Sequence, residues 1–187
     1  ATEAIDRLHS TANSHKRIMV IEIMGHNAGW LALYAGMAGG GDVILIPEIP
    51  YNEKVVIDYL CERADNNKPY SIVVVAEGVE IPEGEDSPAR YLAGRIQKGT
   101  GLETRETVLG YVQRGGSPSP MDRVLASRFG AAAANLIARG EFGRMVAQRN
   151  GIITSVKLSE VGGKTKLVKS DDPMVRQARE MGTCFGD

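Results

Sequence analysis

Three arginines, one glutamate and a glycine-rich turn carry most of the chemistry this sequence offers. Gly115-Gly116-Ser117-Pro118 stands just before a predicted helix. Free backbone N–H groups at such a start point at an anion. Arg105 and Arg114 flank that turn, and Arg17 follows His15-Lys16 at the head of an apolar run. Guanidinium groups bind phosphate bidentately, so three arginines near one loop edge point to a phosphorylated small ligand. Glu77 closes the run Ser71 to Ala76 (SIVVVA), a position where a carboxylate meets a hydroxyl-bearing ligand. Met24-Gly25-His26-Asn27 and Pro47-Glu48 close two other apolar runs. Each feature also has a purely structural reading. Arg105 and Arg114 read as solvated charges, the glycine pair as a plain turn, and His26 as a satisfied surface or packing histidine.

Other motifs fail on their spacing. Gly163-Lys164-Thr165 resembles the end of a phosphate loop, but the required earlier glycine falls on Leu158. No GxGxxG, zinc spacing or GxSxG elbow occurs. Glu77, Glu80, Glu83, Glu85 and Asp86 read as a solvated acidic loop.

The elements that must position these residues alternate. The spacing predicts a helix over Thr2 to Ala12, then a strand over Arg17 to Ile23. A small-residue helix follows over Ala28 to Ala38, and a strand over Val43 to Ile46. Asn52 caps a third helix, Ser71 to Ala76 is the clearest strand, and Pro88 opens a helix over Ala89 to Gln97. Thr104 to Leu109 is a fourth strand. Apolar strands separated by helices make an α/β fold, a mainly parallel sheet with helices on both faces. Its ligands sit at the carboxyl ends of the strands, so the loops after the four strands are expected on one edge. Beyond them come a long helix over Pro120 to Arg139 and a hairpin of Arg144 to Gln148 with Ile152 to Val156 about Asn150-Gly151. A polar connector and a short helix over Pro173 to Glu180 close the chain.

Composition narrows the partners. The 187 residues suit one large domain, or one domain with an appendage, on the prior of roughly 150 residues per domain. A net charge of -1 argues against bulk attraction to nucleic acid or to an anionic membrane, yet leaves room for a local basic pocket. No apolar run approaches a membrane span, and no secretory signal opens the chain. Cys61 and Cys184 form no close-spaced motif, so a reduced, cytoplasmic protein is expected. Ala1 stands directly before a predicted helix, which reads as an excised or processed piece.

Several segments combined are more specific than any one. Ser14-His15-Lys16-Arg17, Met24-Gly25-His26-Asn27-Ala28-Gly29-Trp30, Ala38-Gly39-Gly40 and Pro47-Glu48 occur in the order seen in 6-phosphofructokinases. Thr107 to Pro118, followed by Asp122-Arg123, is similar to that family's most recognisable stretch. The likeness runs from end to end of this chain and covers about the second half of the family's length. It implies a Rossmann-like, phosphofructokinase-like lobe that serves phosphorylation of fructose 6-phosphate at O1, giving fructose 1,6-bisphosphate in glycolysis.

The resemblance also implies roles. Arg17 and Arg105 match arginines that reach across a subunit boundary to the 6-phosphate, hence a homo-oligomer with shared active sites. Met24 and Gly25 match sugar contacts, Glu77 a carboxylate that binds sugar hydroxyls, and Tyr111 and Arg114 two further 6-phosphate contacts. His26 stands where the family usually has an arginine tied to the transferring phosphoryl group. Tyr111 replaces the histidine of familiar bacterial members and, with Ala28-Gly29-Trp30, is similar to the branch holding pyrophosphate users as well as ATP users. The donor is thus ATP or pyrophosphate. His9 and Asp42 replace an effector-binding arginine and a glutamate that holds the effector's magnesium. The donor glycine loop, the magnesium aspartate and the catalytic-base aspartate lie upstream of Ala1 in the family pattern. No catalytic residue or metal ligand is therefore assigned to this chain, and Mg²⁺ is expected mainly on the N-terminal part. The expected organisation is a sugar-phosphate lobe over residues 1–119, elements over 120–159 that pack on the N-terminal lobe, and a return segment over 160–187. The competing reading is a non-catalytic sugar-phosphate-binding module.

Overall fold

The computed structural model describes all residues from 1 to 187. They form two compact units, Ala1–Arg114 with Lys166–Asp187, and Gly115–Thr165.

In the first unit the strands are β1 (Ile18–Ile23), β2 (Val43–Leu45), β3 (Ser71–Ala76) and β4 (Thr104–Val108), between helices α1 (Thr2–His15), α2 (Trp30–Ala38), α3 (Glu53–Asp65) and α4 (Pro88–Thr100). All four strands are parallel, in the order β2-β3-β1-β4. The step from β1 to β2 crosses the sheet one way, and the next two steps cross it the other way. Right-handed crossovers then place α2 on one face and α3 and α4 on the other. Accordingly α1 packs with α2, and α3 with α4. The expected parallel α/β sheet with helices on both faces is therefore the fold observed.

Burial follows position. Every residue of β1, β2 and β3 is buried, as their β-branched runs require. β4 differs from the continuous apolar strand expected. Its sequence is TRETV and only Thr104 is buried, because β4 is the sheet's open edge. The opposite edge is covered by the chain's end, beyond the helix at Pro173–Glu180. Ile44 N–H donates to Cys184 O at 2.9 Å, Cys184 N–H donates to Asp42 O at 3.0 Å, and Phe185 is buried beside them. Covering a strand edge removes a template for unwanted pairing.

Helix starts are capped as the sequence signals. Asn52 accepts from Lys54 N–H, and Ser87 from Arg90 N–H with Pro88 in the first helical turn. One charge sits inside this core. Glu22 of β1 accepts from Ser87 Oγ at 2.5 Å and from Ala89 N–H at 3.1 Å. A carboxylate at the amino end of α4 satisfies free N–H groups and meets the positive end of the helix dipole.

The second unit holds α5 (Pro120–Ala138), an antiparallel hairpin of β5 (Arg144–Arg149) and β6 (Ile152–Lys157), and a short α6 (Leu158–Val161). Asn150 and Gly151 both have positive φ, the turn geometry that the Asn-Gly pair favours. This unit buries Leu136 and Val156 and leaves Met121, Phe142 and Ile152 exposed.

Candidate functional site at the carboxyl edge

Parallel strands bring their four carboxyl ends to one edge, and there the loop after β1 is held by the other three strand ends. Met24 N–H donates to Gln113 Oε1, beyond β4, at 3.3 Å. Gly25 N–H and His26 N–H both donate to Glu77 Oε1, beyond β3, at 3.0 and 2.6 Å. Gly29 N–H reaches both oxygens of Glu48, beyond β2, at 3.0 Å each. Glu48 also accepts from Val168 N–H at 2.9 Å, tying the returning chain to the same place.

Close approach enforces this geometry. His26 has φ of 52°, a left-handed conformation uncommon for a side-chain-bearing residue. A Cβ on Gly78 would stand 2.0 Å from the His26 carbonyl oxygen, so only glycine lets the β3 loop press on the β1 loop. A Cβ on Gly29 would meet Ile46 at 2.3 Å and Glu48 at 2.8 Å. The path of the loop is thus set by close contacts at Gly29 and Gly78 and by the two carboxylates.

What the clamp leaves free is a set of polar groups. Glu77 spends one oxygen on the loop and keeps Oε2 without a partner. His26 is exposed and its ring makes no hydrogen bond. A 3₁₀ turn over Gly110–Arg114 follows β4. It displays Tyr111, 77% exposed, with the Arg114 guanidinium 5.1 Å from its ring centroid. Gln113 Nε2 donates to Gly110 O at 3.2 Å, bracing the turn from within. A carboxylate oxygen, a guanidinium and a phenol on one open edge can accept from hydroxyls and hold an anion.

Arg17 and Arg105 are elsewhere, which corrects the expectation of three arginines at one loop edge. Arg105 pairs with Met19 near the amino ends of β4 and β1. That is about 17 Å from the carboxyl edge, from five strand steps of roughly 3.3 Å. The nearness of Arg105 to Arg114 in sequence hides the length of a strand between them. At the amino edge both arginines meet Glu103, Arg17 at 3.2 Å and Arg105 at 2.8 Å. One carboxylate faces two guanidiniums, so a positive charge is left over, and the buried Arg17 Nε has no hydrogen-bond partner.

The phosphofructokinase family model matches residues 1–137. The chain belongs to the phosphofructokinase family. It is 62% identical over 186 residues to ATP-dependent 6-phosphofructokinase 3 of Bacteroides thetaiotaomicron, and 55% identical over 203 residues to the ATP-dependent 6-phosphofructokinase of Spirochaeta thermophila. These alignments cover 100% of this chain but 55% and 56% of the relatives, so the chain spans about half their length. The phosphofructokinase structure from Saccharomyces cerevisiae is similar over 85% of this chain and 22% of its own, at 37% identity and a TM-score of 0.74. The pyrophosphate-dependent enzyme from Marinobacter aquaeolei shares the fold at a TM-score of 0.77 and 22% identity, over 100% of this chain and 54% of its own.

Against the phosphofructokinase pattern, two positions carry internal partners. His9 hydrogen-bonds to Tyr70 Oη at 3.1 Å and to Gly39 O at 2.5 Å. Asp42 pairs with Arg63 at 2.6 Å and accepts from Ile72 N–H at 2.9 Å. Burial pushes the Asp42 carboxyl up from its ordinary pKa, against the opposing pull of the Ile72 N–H and Arg63. The residues present do not fit the magnesium that a phosphofructokinase implies. No three His, Cys, Asp or Glu side chains converge, and Glu48 and Glu77 are already bonded to backbone. Sequence reasoning missed Gln113 and the clamping role of Glu48. The only signal for either was a polar side chain just past a strand end.

Proposed function

We propose that this chain forms the acceptor half of a 6-phosphofructokinase, holding fructose 6-phosphate for phosphoryl transfer to its 1-hydroxyl. The observation that carries the reading is the clamped loop beside free ligand groups on an open edge. Met24 and Gly25 present the loop to the sugar, and Glu77 Oε2 accepts from its hydroxyls. Tyr111 and Arg114 hold the 6-phosphate, and His26 faces the transferring group. Arg17 and Arg105 lie too far away to join Arg114 on one phosphate within a copy. In this reading they serve the sugar phosphate of a neighbouring copy in a homo-oligomer. Their shared carboxylate, which leaves one positive charge over, supports that use. ATP is the favoured donor, because the 62%-identical relative is named as ATP-dependent.

Phosphoryl transfer needs a base at the hydroxyl and cations on the moving phosphate. Neither is assembled by these residues, so the chain alone does not turn over. The donor site, the base and the magnesium belong to the complementary half. Residues 120–159 pack on that half, which gives the exposed side chains Met121, Phe142 and Ile152 a destination.

A coupled assay for fructose 1,6-bisphosphate tests the reading. The isolated chain should give none with ATP or with pyrophosphate, and the complete enzyme should turn over with ATP. Turnover by the chain that survives repurification and disappears in Glu77→Ala would refute the half-site. A complete protein that binds fructose 6-phosphate without turnover would instead make it a sugar-phosphate receptor.

A further inference from the structure

We infer that Gln113 is a positioning residue that makes the β1 loop and the Gly110–Arg114 turn one unit, and so sets acceptor affinity. The inference rests on the acceptor-site reading above. Gln113 stands between Tyr111 and Arg114, yet its side chain turns away from the ligand groups. Its amide is used at both ends, accepting from Met24 N–H at 3.3 Å and donating to Gly110 O at 3.2 Å. No other side-chain hydrogen bond joins the two segments. Three other N–H groups of the loop, those of Gly25, His26 and Gly29, go to the other strand ends, to Glu77 and Glu48. The next backbone tie to β1 comes just before the turn, where Leu109 N–H donates to Glu22 O at 3.2 Å.

The two segments do different work in the proposed site. The loop meets the sugar, and the turn meets its 6-phosphate. A ligand spanning both gains from a fixed distance between them, since that spacing is then set before binding. An amide suits this place. It supplies one acceptor and one donor with no charge, and so leaves Arg114 unneutralised.

The test combines an isosteric loss with a half-restoration. Gln113→Leu keeps the bulk and removes both bonds. In the chain, hydrogen exchange at the Met24 amide should rise about tenfold, with β1 and β3 unchanged. In the complete enzyme the KM for fructose 6-phosphate should rise on the order of tenfold. The KM for ATP and kcat should stay within about twofold. Gln113→Glu still accepts from Met24 N–H but cannot donate to Gly110 O. It should restore protection at Met24 and leave the turn loose. In the Arg114→Ala background, Gln113→Leu should add less than half its effect, because it acts through that turn.

Unchanged exchange at Met24 overturns the clasp whatever the ligand. Raised exchange with an unchanged acceptor KM overturns the positioning role. An equal fall in kcat with both KM values steady would assign Gln113 to the chemical step instead. If the wild-type complete enzyme has no affinity for fructose 6-phosphate, the acceptor-site reading fails first, and the role given to Gln113 falls with it.

Discussion

Two helices begin with the same dipeptide, Ser87-Pro88 for α4 and Ser119-Pro120 for α5, and the two starts are held in opposite ways. Ser87 donates to the buried carboxylate of Glu22, a residue of the central strand β1, and accepts from Arg90 N–H. Ser119 closes a capping box with Asp122 three residues on, donating at 2.8 Å and accepting from Asp122 N–H at 3.2 Å, all in solvent. Serine caps both helices for the same local reason, a free N–H at the first turn. In the first unit the cap is wired into a tertiary core. In the second it is the helix's own affair. The same contrast runs through their side chains. β1, β2 and β3 are buried throughout, whereas α5, nineteen residues long, buries Leu136 alone. The first unit carries its own core. The second is assembled from local signals, with its apolar side chains still turned outward.

Removing core atoms gives the largest contrast. Leu45→Ala in fully buried β2 should cost ~2–5 kcal/mol by lost burial and a cavity. Met121→Ala, at a side chain 79% exposed, should stay within about 0.5 kcal/mol. Urea unfolding of each variant measures both, and similar losses would erase the distinction between the units.

The matched serines come next. Ser87→Ala takes a donor from a buried carboxylate as well as a cap, and should cost ~1–3 kcal/mol. Ser119→Ala loses only a solvent-side cap, at about 0.5–1 kcal/mol. Circular dichroism along a denaturant series checks the pair. A larger loss at Ser119 would show that α5 depends on its start more than α4 does.

The two units were not equally hidden in the sequence. β1 and β3 are legible as mainly apolar runs rich in β-branched residues, and the hairpin as Asn150-Gly151 between two short strand-like segments. Both serine caps are announced by the proline that follows. Glu77 was legible as an acid at a strand end. What escaped depends on pairing across the sheet. Arg105 sits nine residues from Arg114, but β4 lies between them, so they end near opposite edges. Gln113 looks like filler between Tyr111 and Arg114 until its amide is seen against Met24 N–H. The division of labour at Glu77, one oxygen for the loop and one free, follows from the register of β1 against β3 and from no local pattern.

Glu77 brings the comparison to the site, where the first unit's rigidity should count for binding. Glu77→Gln keeps an oxygen for the Gly25 and His26 N–H groups and offers an amide in place of Oε2. Glu77→Ala leaves both N–H groups without their partner, at roughly 1 kcal/mol for each bond lost. Fast exchange of these two amides should appear in Glu77→Ala and not in Glu77→Gln. The acceptor KM of the complete enzyme should rise in both, about tenfold or more in the alanine variant. Equal exchange in the two variants would mean that the loop holds its shape without the carboxylate.

The smallest effect lies where the first unit is finished by the chain's end. Asp187 receives both ends of the Arg179 guanidinium, at 2.7 and 2.6 Å, and Arg179 lies 4.9 Å from the centroid of buried Phe185. Those Arg179 hydrogen bonds, foremost, hold the Asp187 carboxyl below its ordinary pKa of 3.8. A carboxyl depressed on folding contributes stability above the unfolded value, and that stability is lost as pH falls through the folded one. Both partners are well exposed, so water screens the pair and it should be worth ~0.5 kcal/mol or less. Asp187→Asn should therefore be slightly less stable than wild type at pH 7, and the difference should close as pH drops below about 4. Thermal unfolding of the two proteins across that range measures it. A gap that persists in acid would mean that asparagine disturbs the packing of Phe185 and the β2 edge rather than an ion pair. The tail would then belong to the core, as the rest of the first unit does.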